Sequence, residues 1–404
     1  MEFTKKLAFA VAIAVTPFLS AAMQNQMSGA AQDTPALQGD VLKKNQYPAA
    51  YNAQACYQIK DRGQDWFAQA SFLYWYIGQE GLELAISGAV ITSTPNSFTY
   101  SPRTHILHQK FEYTPGFKVG LGFNFNQQDN WVGYFEYTRI RSSTRTSKEP
   151  INNKRVAAAN LNAWIPLWYN NTTPGGTPGT FDISTELPIP AAHIESKWHV
   201  GLNYYDGTIG RPYYLSRKVV INPSFGVRLA FIEQSLRIRI KPFVGLMGVS
   251  PLVNHLRSNN KSESWALGPR ACLGGHWLLG GGWRLDGSAG ASLLYTRFSE
   301  VRHKEDAPDS TGITPTTVIS DHKYHTMRPW VEGGLGLAWG SYIYNAAYHI
   351  DLSASYDFNY LWGQNMMRKL VQMANVGTGN TTGSGAAAGD LFMHGLTLTG
   401  RFDF

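Results

Sequence analysis

The segment that most constrains the fold is the last ten residues, 395–404, in which apolar and polar residues alternate. Successive side chains of a strand face opposite ways, so this alternation gives one apolar and one polar face. The apolar face comprises Leu396, Leu398, Phe402 and Phe404, and the polar face Thr397, Thr399, Arg401 and Asp403. Such a strand is typical of a closed β-barrel in lipid, with apolar residues outward and polar ones toward the lumen. We expect barrel-assembly machinery to recognise it.

The N-terminal residues predict export. Lys5 and Lys6 precede an apolar run over 7–15, and residues 20–22 form a small-x-small cleavage site. We therefore expect a signal peptide over 1–22, a periplasmic segment over 23–64 that is a candidate plug for the lumen, and a transmembrane barrel over 65–404. The expected location is the bacterial outer membrane.

Composition supports a barrel over a soluble globule. Charged residues make up 16% of the chain and aromatic residues 13%, whereas soluble domains average about 25% charged. Past residue 22, the sequence has no apolar run near the roughly 18 residues that a spanning helix needs.

The net charge of the chain is +7. Removal of residues 1–22, which carry Lys5, Lys6 and Glu2, lowers it to +6. An exported chain seldom meets nucleic acid, so a nucleic-acid partner is not expected. The positive balance predicts instead a pore that prefers anions, or a surface that binds lipopolysaccharide or other surface polysaccharide.

Period-two alternation predicts about ten strands, with 8–14 possible. Five segments are clean (117–125, 219–231, 283–295, 328–339 and 348–360), and four are less so (66–77, 131–140, 198–214 and 267–277). We expect a bulge near 204–205, and the run 236–249 fits an extra strand, an extended neighbour or a loop folded inward. Short connections at 127–130, 216–218, 278–282 and 340–342 alternate with long ones at 78–113, 141–193, 233–263, 298–325 and 362–389. The sequence thus predicts an all-β, antiparallel up-and-down barrel with short periplasmic turns and long extracellular loops.

Aromatic residues beside the short turns favour this barrel over a secreted β-sandwich, which also alternates. Amphipathic rings collect at membrane interfaces. The predicted interface residues are Trp66, Phe125, Trp131, Trp277, Trp283, Trp339 and Phe404. Four prolines inside or beside strands are awkward in a closed barrel and are expected at bulges or strand ends: Pro212, Pro223, Pro269 and Pro329.

Several stretches resemble the pore-forming major outer-membrane protein family typified by Legionella, which also occurs in chlamydia-like bacteria. They are residues 201–217, 221–234, 267–277, 287–298 and 394–404, and residues 72–75 and 117–122 also match. The resemblance implies a passive pore for ions and small solutes. It carries over no catalytic residues.

The inward phase of the strands supplies the predicted pore-lining residues. These are Lys118, Glu136, Arg228, Arg270, Arg284, Asp286, Arg328, Glu332, Asp351, Asp357 and Arg401. Opposite-sign rows would create a transverse field across a wet channel. Alternatively, the charges pair and fill the interior, as in small barrels. Eight glycines on the same phase favour a narrow hydrated pore.

Two cysteines, Cys56 and Cys272, allow one disulfide in an oxidising compartment. Such a bond would tether the N-terminal segment inside the periplasmic mouth. The alternatives are free thiols and pairing with other chains.

Other functions remain open at this stage. A structural barrel, or an adhesin whose loops contact host-surface ligands, uses the same architecture, and a homo-oligomer is possible. A barrel-borne hydrolase would need Asp321 and His322, or His349, Asp351 and Ser353. Same-face neighbours on one strand lie about 7 Å apart, too far for a hydrogen-bonded relay, so we expect no enzyme, no cofactor and no metal.

Overall fold

The structure, a computed structural model, describes residues 65–91, 98–100, 105–125, 131–149, 163–168, 191–216, 218–242, 255–306, 316–344, 347–374 and 388–404. The predicted signal peptide, the segment 23–64 and Cys56 lie outside these residues.

The described chain is almost entirely β-strand. Its elements are β1 (Asp65–Gln79), β2 (Glu83–Ile91), β3 (Phe98–Tyr100), β4 (Ile106–His108), β5 (Tyr113–Phe125), β6 (Trp131–Lys148), β7 (Ala163–Pro166), β8 (Ala191–Gly210), β9 (Tyr213–Ser216), β10 (Val219–Pro242), β11 (Leu256–Gly280), β12 (Trp283–Asp306), β13 (Thr316–Asp321), β14 (Tyr324–Ile343), β15 (Tyr348–Asn365), the helix α1 (Met366–Ala374) and β16 (Gly389–Asp403).

Ten of these strands close into an antiparallel barrel, which confirms the predicted architecture. The order around the wall is β1-β16-β15-β14-β12-β11-β10-β8-β6-β5, and β5 pairs with β1 again. At the closing seam, Trp66 N donates to Phe404 O over 3.2 Å and Phe404 N to Trp66 O over 2.9 Å. The other described strands are short additions: β2, β3, β4, β7 and β13 lie at one end of the barrel, and β9 lies at the other, beside the start of β10.

The outer wall carries a band of exposed apolar side chains, as contact with lipid requires. Members from around the ring include Phe72, Val119, Phe135, Val227, Leu267, Leu293, Leu335, Leu352 and Leu398. The structure places all seven predicted interface aromatics on this wall, beside short turns or at the β1–β16 seam, at one level. One of these turns, between β11 and β12, contains Gly280, Gly281 and Gly282 with φ of 107°, 62° and 83°, which favour glycine.

The polarity of the two strand faces inverts part-way along the longest strands. On β10, Phe225, Val227 and Phe231 point outward at the lipid level, whereas Arg228 points inward. Beyond Phe231 the alternation of inward and outward side chains continues without a break, but the inward face becomes apolar and the outward face becomes charged. There the apolar residues Ile232, Leu236, Ile238 and Ile240 point inward, and Glu233, Arg237, Arg239 and Lys241 point outward. The inversion marks the end of the hydrocarbon and the start of a water-exposed extension on the extracellular side.

These extensions correct the predicted loops. The run 236–249 begins as a continuation of β10 as far as Pro242, paired with both β8 and β11. Strands β6, β8, β11 and β12 likewise extend into segments predicted as connections. The bulge predicted near 204–205 is wrong, because the register of β8 runs evenly through Tyr204 and Tyr205 against β6 and β10. Tyr204 points inward, as do the apolar side chains that precede it on the same face of β8. An apolar inward face imitates a change of phase, and this led to the wrong prediction.

Three of the prolines lie where a neighbouring ladder stops. Pairing of β10 with β8 begins one residue after Pro223. The β11–β12 ladder lacks pairs at residues 268 and 269, the position of Pro269. Pairing of β14 with β15 begins one residue after Pro329. The missing proline donors therefore cost little, and Pro212 lies between β8 and β9, outside both strands.

The helix α1 packs against the extended strands at the extracellular end. The Asn365 side chain accepts a hydrogen bond from Arg368 N over 3.2 Å and caps the first turn. Met366, Met367, Leu370 and Val371 are buried. Among the described residues, no helix has the length and apolar character needed to cross a membrane.

Candidate pore interior

A group of four charged side chains lies at the centre of the barrel. Arg228 is 1% exposed, and its Nε and Nη2 each donate to Asp206 over 2.7 Å. Nη2 also donates to Glu332 Oε2 over 2.7 Å. Arg270 donates to the other oxygen of Glu332, with Nε at 2.9 Å. These four residues, here named the central cluster, come from β8, β10, β11 and β14.

Aromatic rings cover the central cluster on its extracellular side. The Arg228 guanidinium lies 4.4 Å from the ring centroid of Trp330 and 4.8 Å from that of Tyr204. The two rings are themselves 5.2 Å apart in an edge contact. All three side chains are fully buried, so the cation interacts with the rings in the absence of water, where such contacts are strongest.

A second charged group lies beside the first. Lys118 Nζ lies 4.0 Å from Glu136 and 5.1 Å from the ring of Trp75. Tyr134 donates to the other oxygen of Glu136 over 2.9 Å. Nearby, Asp357 accepts hydrogen bonds from neighbouring hydroxyl groups. These contacts hold the carboxylates in fixed positions.

Two further groups line the periplasmic end. His349 Nδ1 lies 3.0 Å from Asp403 Oδ2, and Asp403 also accepts hydrogen bonds from Arg401. Next to it along the wall, Arg284 on β12 pairs with Asp286 and with Asp351 on β15. Asp286 in turn lies 2.7 Å from His276 Nδ1.

A cavity of about 310 Å³ lies between the central cluster and the periplasmic turns. Seven of the eleven predicted pore-lining residues border it: Lys118, Glu136, Arg228, Arg270, Glu332, Asp357 and Arg401. With Asp206, the described lining carries four cations and four anions. Around the wall the signs run in pairs, so no side of the cavity is opposed to the other as a transverse field requires.

The other four predicted residues lie outside this cavity. Arg284, Asp286 and Asp351 form the group at the rim described above. Arg328 lies toward the extracellular end, where its Nη2 is 3.5 Å from the sulfur of Met366 in α1.

The thiol of Cys272 borders the cavity, 3.6 Å from Glu332 Oε1. Its proposed partner, Cys56, lies outside the described residues, so the disulfide stays a prediction.

Toward the extracellular side, the interior is closed by packed side chains. Gln234 on β10 donates to Gln79 on β1 over 3.0 Å, which bridges nearly opposite parts of the wall. A large apolar cluster surrounds this bridge and includes Leu73, Trp75, Trp198, Leu202, Ile232 and Leu236, together with residues of β2, β7 and α1. Among the residues that the structure describes, the cavity is therefore closed on its extracellular side. The periplasmic half of the described barrel thus holds a polar cavity, and the extracellular half is filled with side chains.

Sequence reasoning missed Asp206, Tyr204 and Trp330. The signal for Asp206 was present, because it shares the inward phase with Thr208 and with the buried residues before it. The assumed bulge removed it from consideration. A tryptophan in a barrel strand is readily taken for a lipid-facing residue. Only the position of Trp330 in the alternation of β14 shows that its side chain points inward.

The residues considered for hydrolysis are engaged elsewhere or dispersed. His349 pairs with Asp403, whereas Asp351 pairs with Arg284. Asp321 and His322 lie at the junction of β13 and β14, far along the chain from both. Within the described ranges, no three His, Cys, Asp or Glu side chains are placed to hold a metal ion.

The match to known families is decisive. A family model described as the Legionella pneumophila major outer membrane protein precursor covers residues 60–404. The chain belongs to this family. Membership confirms the resemblance given by the strand motifs, and this member of the major outer membrane protein family is an outer-membrane β-barrel of Gram-negative type.

The chain is also similar, at low sequence identity, to several solved structures. The outer-membrane protease OmpT of Escherichia coli is 10% identical, with 86% of this chain and 98% of that chain covered at a TM-score of 0.34. A major outer membrane protein of Thermus thermophilus is 9% identical, with 85% and 100% covered at 0.27. A FadL homologue of Pseudomonas aeruginosa is 12% identical, with 88% and 93% covered at 0.27. No curated protein matches the chain in sequence.

Proposed function

We propose that the protein is a narrow, porin-like pore for ions and small solutes that is shut in the conformation described. The observation that carries this proposal is the charged cavity of about 310 Å³ in the periplasmic half of the lumen. A barrel that serves only as a scaffold has no need of a polar hollow that holds eight charged groups in lipid, where desolvation is costly.

The extracellular closure is compatible with gating. Its inserted parts, β2, β7 and α1, are additions to the ten-stranded wall, so they are able to move without opening the barrel. Trp168 Nε1 bonds Glu83 O over 2.7 Å, and Arg368 Nη1 bonds Leu167 O over 2.9 Å, which joins these additions to one another. These hydrogen bonds join β2, β7 and α1 into one cap over the apolar cluster.

The charge balance of the cavity predicts weak selectivity. Four cations and four anions border it, so a solute of either sign meets compensating groups. The described lining carries no excess positive charge, so it gives little reason for the anion preference expected from net charge alone.

Single-channel recording in a planar bilayer tests the proposal. Refolded protein whose migration on a gel depends on heating is inserted, and reversal potentials are measured under a salt gradient. Brief, small openings with a reversal potential near zero are expected. A silent bilayer with correctly folded protein would reject the pore.

A structural barrel is the second candidate, and one observation favours it. The Gln79–Gln234 bridge and the packed tryptophans fill the extracellular half as in barrels without a channel. If the bilayer stays silent even for variants that empty this half, the protein is a structural component of the membrane.

A further inference from the structure

The outer wall of the extracellular extension is strongly basic over adjacent strands. On β10, Arg237, Arg239 and Lys241 point outward, beyond the inversion at Phe231. Arg237 is six residues past Phe231, which places it about 15 Å above the hydrocarbon edge for strands tilted by about 40°. The basic surface therefore lies at the level of lipid headgroups and core sugars.

Neighbouring strands add cations in register with these. Lys197 on β8 is the cross-strand partner of Arg237. Arg257 on β11 is the cross-strand partner of Arg239. We name these two pairs together with Lys241 the basic patch. Like charges directly opposite each other destabilise a sheet, so this arrangement costs free energy unless an anion from outside compensates it.

The patch has no compensating carboxylate of its own. Within the described chain, none of its five side chains forms an ion pair. Two carboxylates do lie opposite patch residues, Glu195 opposite Arg239 and Asp306 opposite Arg257, but Glu195 binds Arg145 and Asp306 binds Lys304. By contrast, basic residues on β12, the strand beside β11, are paired: Arg302 lies 3.5 Å from Glu300 and Lys304 lies 3.2 Å from Asp306.

The wall below the patch is apolar, and Glu233 and Ser235 separate the two on the outer face of β10. Phe225, Val227 and Phe231 are exposed on β10 below that interval. Arg139 and Arg141 on the outer face of β6 fill the interval between this apolar band and the patch. A ligand that fits this surface has acyl chains below and anionic groups above.

We propose that this face of the barrel binds lipopolysaccharide, with the basic patch contacting the phosphate and carboxylate groups of its core. The wall faces neighbouring lipids in the plane of the membrane, and Arg139 and Arg141 lead from the edge of the apolar band toward the patch. A soluble polyanion, such as a sulfated glycan, has no use for the apolar part of this surface. The inference is independent of whether the lumen conducts.

Binding measurements on two matched variants test the proposal. The full chain, folded in a zwitterionic detergent, is titrated with purified lipopolysaccharide and separately with heparin, at low and high salt. R239Q/R257Q removes two unpaired cations of the patch, and R302Q/K304Q removes two cations that are already paired. Heat-dependent migration on a gel verifies that each variant is folded.

R239Q/R257Q should weaken lipopolysaccharide binding about tenfold or more, in a salt-dependent manner, while R302Q/K304Q stays within about twofold of wild type. Equal binding by both variants, or binding that salt does not change, would overturn the proposal. Loss of heparin binding with unchanged lipopolysaccharide binding would also overturn it and assign the patch to a soluble polyanion.

Discussion

Arg228 and Glu332 lie on strands three positions apart in the barrel wall, yet Nη2 of the arginine donates to Oε2 of the glutamate over 2.7 Å. The contact therefore crosses the lumen rather than running along the sheet. With Asp206 and Arg270 it separates a charged cavity on the periplasmic side from an apolar interior on the extracellular side.

Glu332→Gln should destabilise the barrel by about 3–5 kcal/mol, because it leaves two cations in the lipid-enclosed interior with Asp206 alone. Urea unfolding of the refolded protein in lipid measures the change. Glu300→Gln is the matched control, since Glu300 pairs with Lys261 and Arg302 on the exposed outer wall, and it should cost about 0–1 kcal/mol. Similar losses for both variants would show that the interior contact is energetically ordinary.

Trp330→Ala should increase single-channel conductance or the frequency of opening, because it removes a fully buried ring above Arg228. Trp265→Ala is the control, since Trp265 lies on the outer wall of β11. Unchanged currents in folded Trp330→Ala would place the barrier to conduction elsewhere, above the apolar cluster.

Lys118→Gln should move the reversal potential toward the equilibrium potential of the permeant cation, because it removes one of the four positive groups bordering the cavity. Lys110→Gln is the control, since that side chain is exposed before β5. An equal shift in both variants would mean that current does not pass the cavity.

Leu335→Arg should destabilise the folded barrel by about 2–4 kcal/mol, because Leu335 is 75% exposed within the lipid-facing band. Val318→Arg introduces the same side chain at an exposed position of β13, at the extracellular end, and should stay within about 0.5 kcal/mol of wild type. Equilibrium unfolding in lipid vesicles compares the two. If Leu335→Arg is tolerated equally well, the position of the hydrocarbon given by the polarity inversion is wrong.

The pKa of His255 should report on the basic patch. Burial lowers the pKa of this imidazole, and Arg257, Arg239 and Lys241 lower it further. The histidine thus stays neutral to lower pH in the folded protein than in the unfolded chain, and its protonation at acid pH opposes folding. Arg257→Gln should raise the pKa toward its usual range, as should bound lipopolysaccharide. Histidine NMR titration checks both, and Arg302→Gln should leave the midpoint in place.

Most of the wall was predictable from alternation, because a lipid-facing strand has one apolar and one polar side. The ten strands and most of the inward charges of the lower half follow from that rule. The extracellular extensions of the strands do not follow from that rule, because above the hydrocarbon the apolar residues of an alternating strand face inward and the polar residues face outward. In 236–241, the leucine and isoleucines face inward and the cations outward, as on a soluble sheet.

Contacts across the lumen were beyond sequence reasoning. Phase shows that Arg228, Arg270 and Glu332 point inward, but it gives no distance between strands that are not neighbours. The aromatic cover formed by Tyr204 and Trp330 also depends on the diameter of the closed ring. Such residues become recognisable once the number of strands fixes how far apart opposite walls stand.

The seam between β1 and β16 joins the first and last strands of the wall through thirteen residue pairs. Until those pairs form, the curved sheet has two open borders, each with a row of unsatisfied amides and carbonyls facing hydrocarbon. The strand pair that closes the barrel is thus the one with the longest sequence separation. Its formation satisfies the backbone groups that would otherwise face lipid without hydrogen bonds. The nine strands before β16 cannot settle in the membrane alone, and a chain that stalls there is exposed to aggregation along both borders.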